Sequence, residues 1–319
     1  MQRTFIALSI LLLVALIWLA ADRSTEEVRL GGGPEGGTFI VYAKGLAELL
    51  RQELPELQLK VTSSGGSTAN LNDIEEGKVA LALAYAGDAY LGSQGLLKKH
   101  PTRLANVQAL GRVYGSTAQL VVLKESIIKT PEDLVNRRVA IGSSGSGAAH
   151  SAERYFRSLG IWDEITPLYL GYDLAMGELI SRRAQAVWQL VGAPCAAIVN
   201  TSRKHPLRLI DLAELADQSD FLLEYPFYTR VSIPAGTYSG QTRPIDSFQD
   251  NTLLVAHPGT DPQLIATTLH LLFSPKGMQQ MRKIHPIAKD LDVQKGLQGI
   301  QIPLHPEAVK FWREQGVLK

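Results

Sequence analysis

The sequence predicts an α/β protein in which parallel strands are covered by helices, and three observations carry that prediction. Short apolar strands alternate with helix-like segments in two successive sets, the mark of such sheets. Three of the strands run straight into glycine- and serine-rich turns: Gly31 to Thr38, Ser63 to Thr68 and Gly142 to Gly147. The segments Glu76-Gly77-Lys78-Val79-Ala80-Leu81 and Arg183-Ala184-Gln185-Ala186-Val187-Trp188 also occupy equivalent places in the two sets.

Each element follows from local signals. After the polar stretch Asp22 to Glu27, Val28-Arg29-Leu30 reads as the first strand. Thr38 can cap a helix from about Ile40 to Leu54, with Val41, Leu46, Leu49 and Leu50 as its apolar positions and Pro55 as its stop. Leu57 to Thr62 alternates as a second strand, and Ser67 can cap a short helix ending near Gly77. Lys78 to Ala84 is apolar enough for a buried parallel strand. Leu120 to Leu123 is a further strand. Thr130-Pro131-Glu132-Asp133 opens a helix, with Thr130 as cap, Pro131 at the first helical position and the acids facing the positive dipole end. The second set then runs as a strand at Arg138 to Ile141, a helix from about Ala148 to Leu159 stopped by Gly160, a strand at Ile165 to Leu170, a helix near Leu174 to Arg183 and a strand at Ala186 to Leu190. Tyr225 to Asp250, rich in Pro, Gly, Tyr and Thr, reads as a long packed loop. Thr252 to Ala256 is the last strand, followed by helices at Pro262 to Leu272 and Pro275 to Ile284.

A chain of 319 residues is long enough for two lobes, each with its own core. Its 32 basic and 31 acidic side chains leave no basic stripe, which argues against a nucleic-acid partner. Cys195 is the single cysteine, so an internal disulfide is excluded, and its small apolar neighbours offer nothing to activate the thiol. Met1-Gln2-Arg3 and the uncharged apolar run Thr4 to Ala21 read as an export segment with its N-terminus in the cytoplasm. The run is long for a signal-peptide core and short for a spanning helix. Leu19-Ala20-Ala21 is a mediocre cleavage site and Trp18 sits where an interfacial anchor belongs, so residues 1–27 read as an export segment or as a retained membrane anchor with its linker.

The Gly/Ser turns carry the chemistry. Each leaves backbone N–H groups free at a helix N-terminus, with hydroxyls beside them, and together they make a receptor for a carboxylate or other anion. In such sheets a ligand sits beyond the carboxyl ends of the strands, where these turns lie. Competing motifs fail. Gly31-x-Gly33-x-x-Gly36 matches the dinucleotide fingerprint, but the second strand ends in Thr62-Ser63-Ser64 where a ribose needs an acid. The turn at Gly142 lacks the Lys-Ser/Thr ending of a phosphate loop, and neither Ser144 nor Ser146 has the glycine spacing of a nucleophile elbow. The seven histidines show no metal-ligand spacing. His150 reads as a surface or capping residue, and Arg112 as a carboxylate partner or a plain surface charge. Asp88 and Glu35 could meet an amine or serve as turn acids, and Tyr85 and Trp188 could be core or ligand wall. The reading is ligand capture without enzymatic chemistry, cofactor or metal. Thr38, Ser64, Ser67, Asn70, Ser144 and Ser146 are the expected hydrogen-bond donors, with backbone N–H groups around Gly37, Gly66 and Gly147, and Tyr85 and Gln189 shape the far side.

Several segments also match one family, in its order. Gly36-Gly37-Thr38, Ser64-Gly65-Gly66-Ser67-x-x-Asn70-Leu71, Gly87-Asp88, Ile141-Gly142-x-x-Gly145-Ser146-Gly147, Gly192-x-Pro194-x-Ala196-Ala197-Ile198, Ile233-Pro234-Ala235-Gly236-Thr237-Tyr238 and Pro303-Leu304-His305-Pro306 resemble the TAXI-type solute-binding subunits of TRAP transporters. The resemblance covers nearly all of the chain after the apolar leader. It implies a two-lobed periplasmic-binding-protein-like (type II) fold, each lobe a largely parallel sheet flanked by helices, joined by two crossing strands near Leu120 to Lys124 and Thr252 to Ala256. Lobe 1 would then be residues 28–123 and 253–319, and lobe 2 residues 124–252. It further implies a monomeric extracytoplasmic receptor that closes on a small organic acid or amino acid and delivers it to a TRAP-type permease. The alternative is a membrane-tethered sensor that uses the same cleft without transport. The chain departs from the family at Phe39 and Ile40, where two tyrosines usually follow the Gly-Thr, and at Tyr85-Ala86-Gly87, where Gln and Ser usually precede the Asp.

Overall fold

The structure, a computed structural model, describes residues 27–97 and 102–319. The expected export or anchor segment at Thr4 to Ala21 lies outside the described residues.

The first set comprises β1 (Val28–Gly31), α1 (Thr38–Glu53), β2 (Leu59–Thr62), α2 (Ser67–Glu75), β3 (Leu81–Tyr85) and α3 (Ala86–Ser93). β1 lies between β2 and β3, parallel to both. The chain then enters β4 (Gln108–Leu123), and the second set follows as β5 (Arg138–Gly142), α4 (Gly147–Ser158), β6 (Thr166–Tyr169), α5 (Tyr172–Ile180) and β7 (Ala186–Val191). Here β5 lies between β6 and β7, again parallel to both. The two sets therefore share one order, with the first strand in the middle. After α6 (Ala196–Ser202), β8 (Leu207–Ile210), α7 (Ala213–Gln218), α8 (Phe221–Glu224) and β9 (Thr229–Ile233), the long strand β10 (Ile245–Ala256) returns to the first set. Helices α9 (Pro262–Leu272), α10 (Pro275–Ile284) and α11 (Pro306–Glu314) close the chain.

The ten strands of the described residues belong to one mixed sheet with the path β2-β1-β3-β10-β4-β7-β5-β6. β10 and β4 are its antiparallel centre. β4 pairs with β10 over Gln108 to Thr117, then with β7 over Thr117 to Val121 and with β8 over Leu120 to Leu123. β10 pairs with β9 over Ile245 to Gln249 and with β3 over Thr252 to Ala256.

Three sequence expectations change here. The strand expected at Leu120 to Leu123 is only the end of the sixteen-residue β4. Gly111 and Gly115 interrupt its apolar run because each permits a close approach: a Cβ would lie 2.8 Å from the Trp312 ring or 2.0 Å from Gln249 Oε1. The loop expected over Tyr225 to Asp250 holds β9 and half of β10. Its polar residues disguise a buried strand by finding partners inside. Ser247 Oγ donates to Ala118 O at 2.6 Å, and Asp250 Oδ1 accepts from Gly87 N at 3.2 Å. The segment after Thr130 is a single 3-10 turn, Pro131–Leu134, closed by a reciprocal capping box between Thr130 and Asp133.

The core crosses the sheet centre. Tyr155, Trp188, Phe221 and Phe248 pack with ring centroids 4.8–5.9 Å apart. Trp188 is 1% exposed, and its Nε1 donates to Ser151 Oγ at 2.9 Å, so it is a core residue. Burying each such side chain contributes roughly 1.5–3 kcal/mol. At the other end, Trp312 of α11 is fully buried with its Nε1 on Leu110 O, and Ile284 of α10 sits against Gly45 of α1.

Candidate functional site

Among the described residues, five strands run into helices whose N-termini converge. β1 leads to α1 at Gly37–Thr38, β2 to α2 at Gly66–Ser67, β3 to α3 at Tyr85–Ala86, β5 to α4 at Ser146–Gly147, and β6 to α5 at Gly171–Tyr172. Residues from all five ends line one pocket, and no charged side chain lines it. Each N-terminus carries the equivalent of roughly half a positive charge on its free N–H groups. The pocket is therefore polarised for a negative group without a single cation in its wall.

The turns are held in different ways. Before α4, Ser146 is the N-cap, and its Oγ accepts from Ala149 N at 3.1 Å. Before α2 the N-cap is Gly66 at φ 104°, ψ −152°, a conformation essentially restricted to glycine. Ser64 Oγ braces it, accepting from Gly66 N at 3.0 Å and donating to Gly32 O at 3.3 Å. Ser67 is the first helical residue rather than the cap, and its Oγ accepts from Tyr85 N at 2.9 Å. Thr38 likewise follows the N-cap Gly37, and its Oγ1 donates to Gly192 O at 3.3 Å. Asn70 Nδ2 donates to Gly32 O at 2.5 Å and Leu83 O at 2.7 Å, tying the end of β1 to β3.

Of the residues singled out from the sequence, Gly37, Gly66, Ser67, Tyr85, Ser146 and Gly147 line the pocket together. Thr38, Ser64 and Asn70 stand behind that wall, holding backbone. Ser144 is exposed in its turn. Gln189 is 1% exposed on β7, opposite Gln119, and its amide has no partner. Sequence reading missed Tyr172 and Ser143. Gly171-Tyr172 lacks the serines of the other turns, and only its equivalence to Gly66-Ser67 in the repeated set could have revealed it.

Bonds across the pocket join the two sets. Tyr85 Oη and Tyr172 Oη both donate to Leu190 O, at 2.5 and 3.4 Å. Thr68 Oγ1 meets His150 Nδ1 at 3.3 Å, so His150, 9% exposed, is a buried contact rather than a surface group. Arg154 of α4 binds fully buried Asp88 of α3 at 2.9 Å and Tyr228 Oη at 2.9 Å. Burial opposes the Arg154 charge, but Tyr228 and Asp88 outweigh it and fix the guanidinium in its charged form. Asp250 accepts from Gly87 N at 3.2 Å; burial, reinforced by Asp88, pushes its carboxyl well above the usual range. Burial, then the neighbouring Tyr172, raises the Tyr85 phenol, so it remains a neutral donor.

Other candidates fall elsewhere. Glu35 is an exposed partner of Lys44, and Arg112, 5% exposed, is tied to Asn251 Oδ1 and Asp290 O away from the pocket. Burial pushes the Cys195 thiol up to about 11, leaving little thiolate. Among the described residues no group of three or more His, Cys, Asp or Glu side chains could hold a metal ion, and no helix is long and apolar enough to cross a membrane.

The fold is that of type II periplasmic binding proteins. The alkanesulfonate-binding protein SsuA from Xanthomonas axonopodis pv. citri, bound to MOPS, is 15% identical over 92% of this chain and 94% of its own, with a TM-score of 0.50. A putative L-cystine ABC transporter from Listeria monocytogenes is 15% identical over 83% of this chain and 97% of its own, also at 0.50. An ancestral arginine-binding protein bound to arginine gives 12%, 80%, 96% and 0.51. At such identities the likeness is one of fold alone. Residues 30–316 match the NMT1-like family, which spans both strand–helix sets and the C-terminal helices. The chain belongs to the NMT1-like family.

Proposed function

We propose that this protein is an extracytoplasmic solute-binding receptor of the TAXI type, which captures a small carboxylate-bearing ligand and delivers it to a TRAP-type permease. One observation carries the reading: five helix N-termini meet at a single pocket that has no charged side chain in its wall. Such a wall binds a carboxylate through backbone N–H groups and hydroxyls. Ser67, Ser146 and Gly147 supply those donors; Gly37 and Gly66, whose own N–H groups go to Pro34 O and Ser64 Oγ, shape the turns, and Thr38, Ser64 and Asn70 hold them in place. The lobes are residues 28–123 with 253–319, and residues 124–252, which close about β4 and β10. Closure follows because one ligand touches both lobes only in the shut form.

A thermal-shift screen of organic acids and amino acids tests capture. A ligand at about a hundredfold excess over its Kd stabilises the fold by ~2.7 kcal/mol, a rise of several degrees in Tm. The absence of any shift across the panel would refute it. The apolar run Thr4 to Ala21 favours a tethered receptor, and N-terminal sequencing of the protein from its host decides that point. A mature chain starting at Asp22 would be a cleaved one.

A further inference from the structure

Two phenols close one end of the pocket. Tyr85 is the N-cap of α3 and Tyr172 the first residue of α5, so they reach the site from different sets. Both donate to the same carbonyl, Leu190 O on β7. The Tyr85 ring is 4% exposed, with Phe39 packed edge-on at 4.9 Å. On its other flank a Cβ at Gly147 would lie 2.6 Å from Tyr85 Cδ2. The free cavity left in the pocket is about 20 Å³. That is room for about one or two waters. Pockets for ordinary small molecules run to roughly 300–1,000 Å³.

We propose that Tyr85 and Tyr172 form a size gate that restricts the captured ligand to a short monocarboxylate of about the size of acetate. The inference rests on the capture reading and sharpens it. A carboxylate head fits against the helix N-termini, but a longer chain must displace a phenol held on three sides. A second carboxylate finds no donor at that end, where both phenols are spent on the Leu190 carbonyl. Dicarboxylates are therefore rejected for want of a partner as well as on length.

Isothermal titration of the whole protein with acetate, hexanoate and glutarate tests the gate. The wild type should bind acetate at least tenfold more tightly than either longer acid. Tyr85→Ala should raise the affinity for hexanoate relative to that for acetate at least tenfold. Tyr172→Ala should act in the same direction, and it carries the test if Tyr85→Ala does not fold. Equal wild-type affinity for acetate and a longer acid, or an unchanged order in both variants, overturns the gate and leaves carboxylate capture intact. Binding of none of the three acids by any of the proteins overturns the gate, while capture itself falls only if the thermal-shift panel is silent as well.

Discussion

The turns that open α2 and α4 are written in nearly the same letters, Ser-Ser-Gly-Gly-Ser-Thr and Gly-Ser-Ser-Gly-Ser-Gly, and both aim a helix N-terminus at one pocket. They are built differently. The α4 turn is closed by its own Ser146 cap, three residues from the N–H it satisfies. The α2 turn has no side-chain cap, and its serines reach out to Gly32, just beyond β1, and to Tyr85, at the end of β3. One turn is fixed locally and the other by tertiary contacts. What the letters share is the direction of the free N–H groups; the work of each hydroxyl is set by its neighbours.

Four sets of variants can break or sharpen that contrast. The largest effect is expected at Gly147, where an added Cβ meets Asp88 Oδ2 at 2.2 Å, Tyr85 Cδ2 at 2.6 Å and Ser67 Cβ at 2.9 Å. Gly147→Ala should cost about 3 kcal/mol by overpacking and hold the two sets apart. Small-angle scattering should give a larger radius than the wild type, and an unchanged radius would show that the turns do not need this contact. Gly66→Ala isolates backbone strain, because its Cβ meets only Pro34 Cδ at 3.7 Å and Ser146 Cβ at 4.0 Å. It should cost about 1–3 kcal/mol in urea unfolding with no change in radius.

The serines come next. Ser67→Ala orphans the buried Tyr85 N–H and should cost about 1–3 kcal/mol, whereas Ser146→Ala loses a helix cap worth about 1 kcal/mol. If Ser146→Ala proved the costlier, the division into local and tertiary support would be wrong.

The smallest effect is one of pH and belongs to the α3 end. Asp250 holds its proton more tightly folded than unfolded, so its contribution to stability is full below the ordinary carboxylate pKa of about 4. That contribution falls as pH rises towards the raised folded value. Asp250→Asn should flatten the decline in Tm above about pH 5. A decline as steep as that of the wild type would count against a buried proton there.

The two parallel sets could be read from sequence because every signal in them is local. Pro55 lies just beyond α1, Gly160 takes φ 72° just beyond α4, and Pro262 and Pro275 open their helices. The antiparallel centre could not. β4 and β10 are buried on both faces yet carry Arg112, Gln119, Asp250 and Asn251, whose partners lie far along the chain. Polar residues in a strand look like a loop until those partners are known. For the same reason the sequence named the donors near the pocket but not which of them face it. Asn70 and Ser64 have the right chemistry, but their hydrogen bonds are to backbone behind the wall.

The position of β10 has a consequence for how the protein is made. β3, the all-buried segment Leu-Ala-Leu-Ala-Tyr, takes its second neighbour from Thr252 to Ala256. At roughly 5–20 residues per second, translation supplies that neighbour roughly 10–30 s after Leu81 to Tyr85 has been joined. Until then the segment has one edge without its native mate, and open apolar edges recruit foreign strands. A ribosome paused between β4 and β10 should therefore leave the first third of the nascent chain aggregation-prone, although every residue of the first set is already in place.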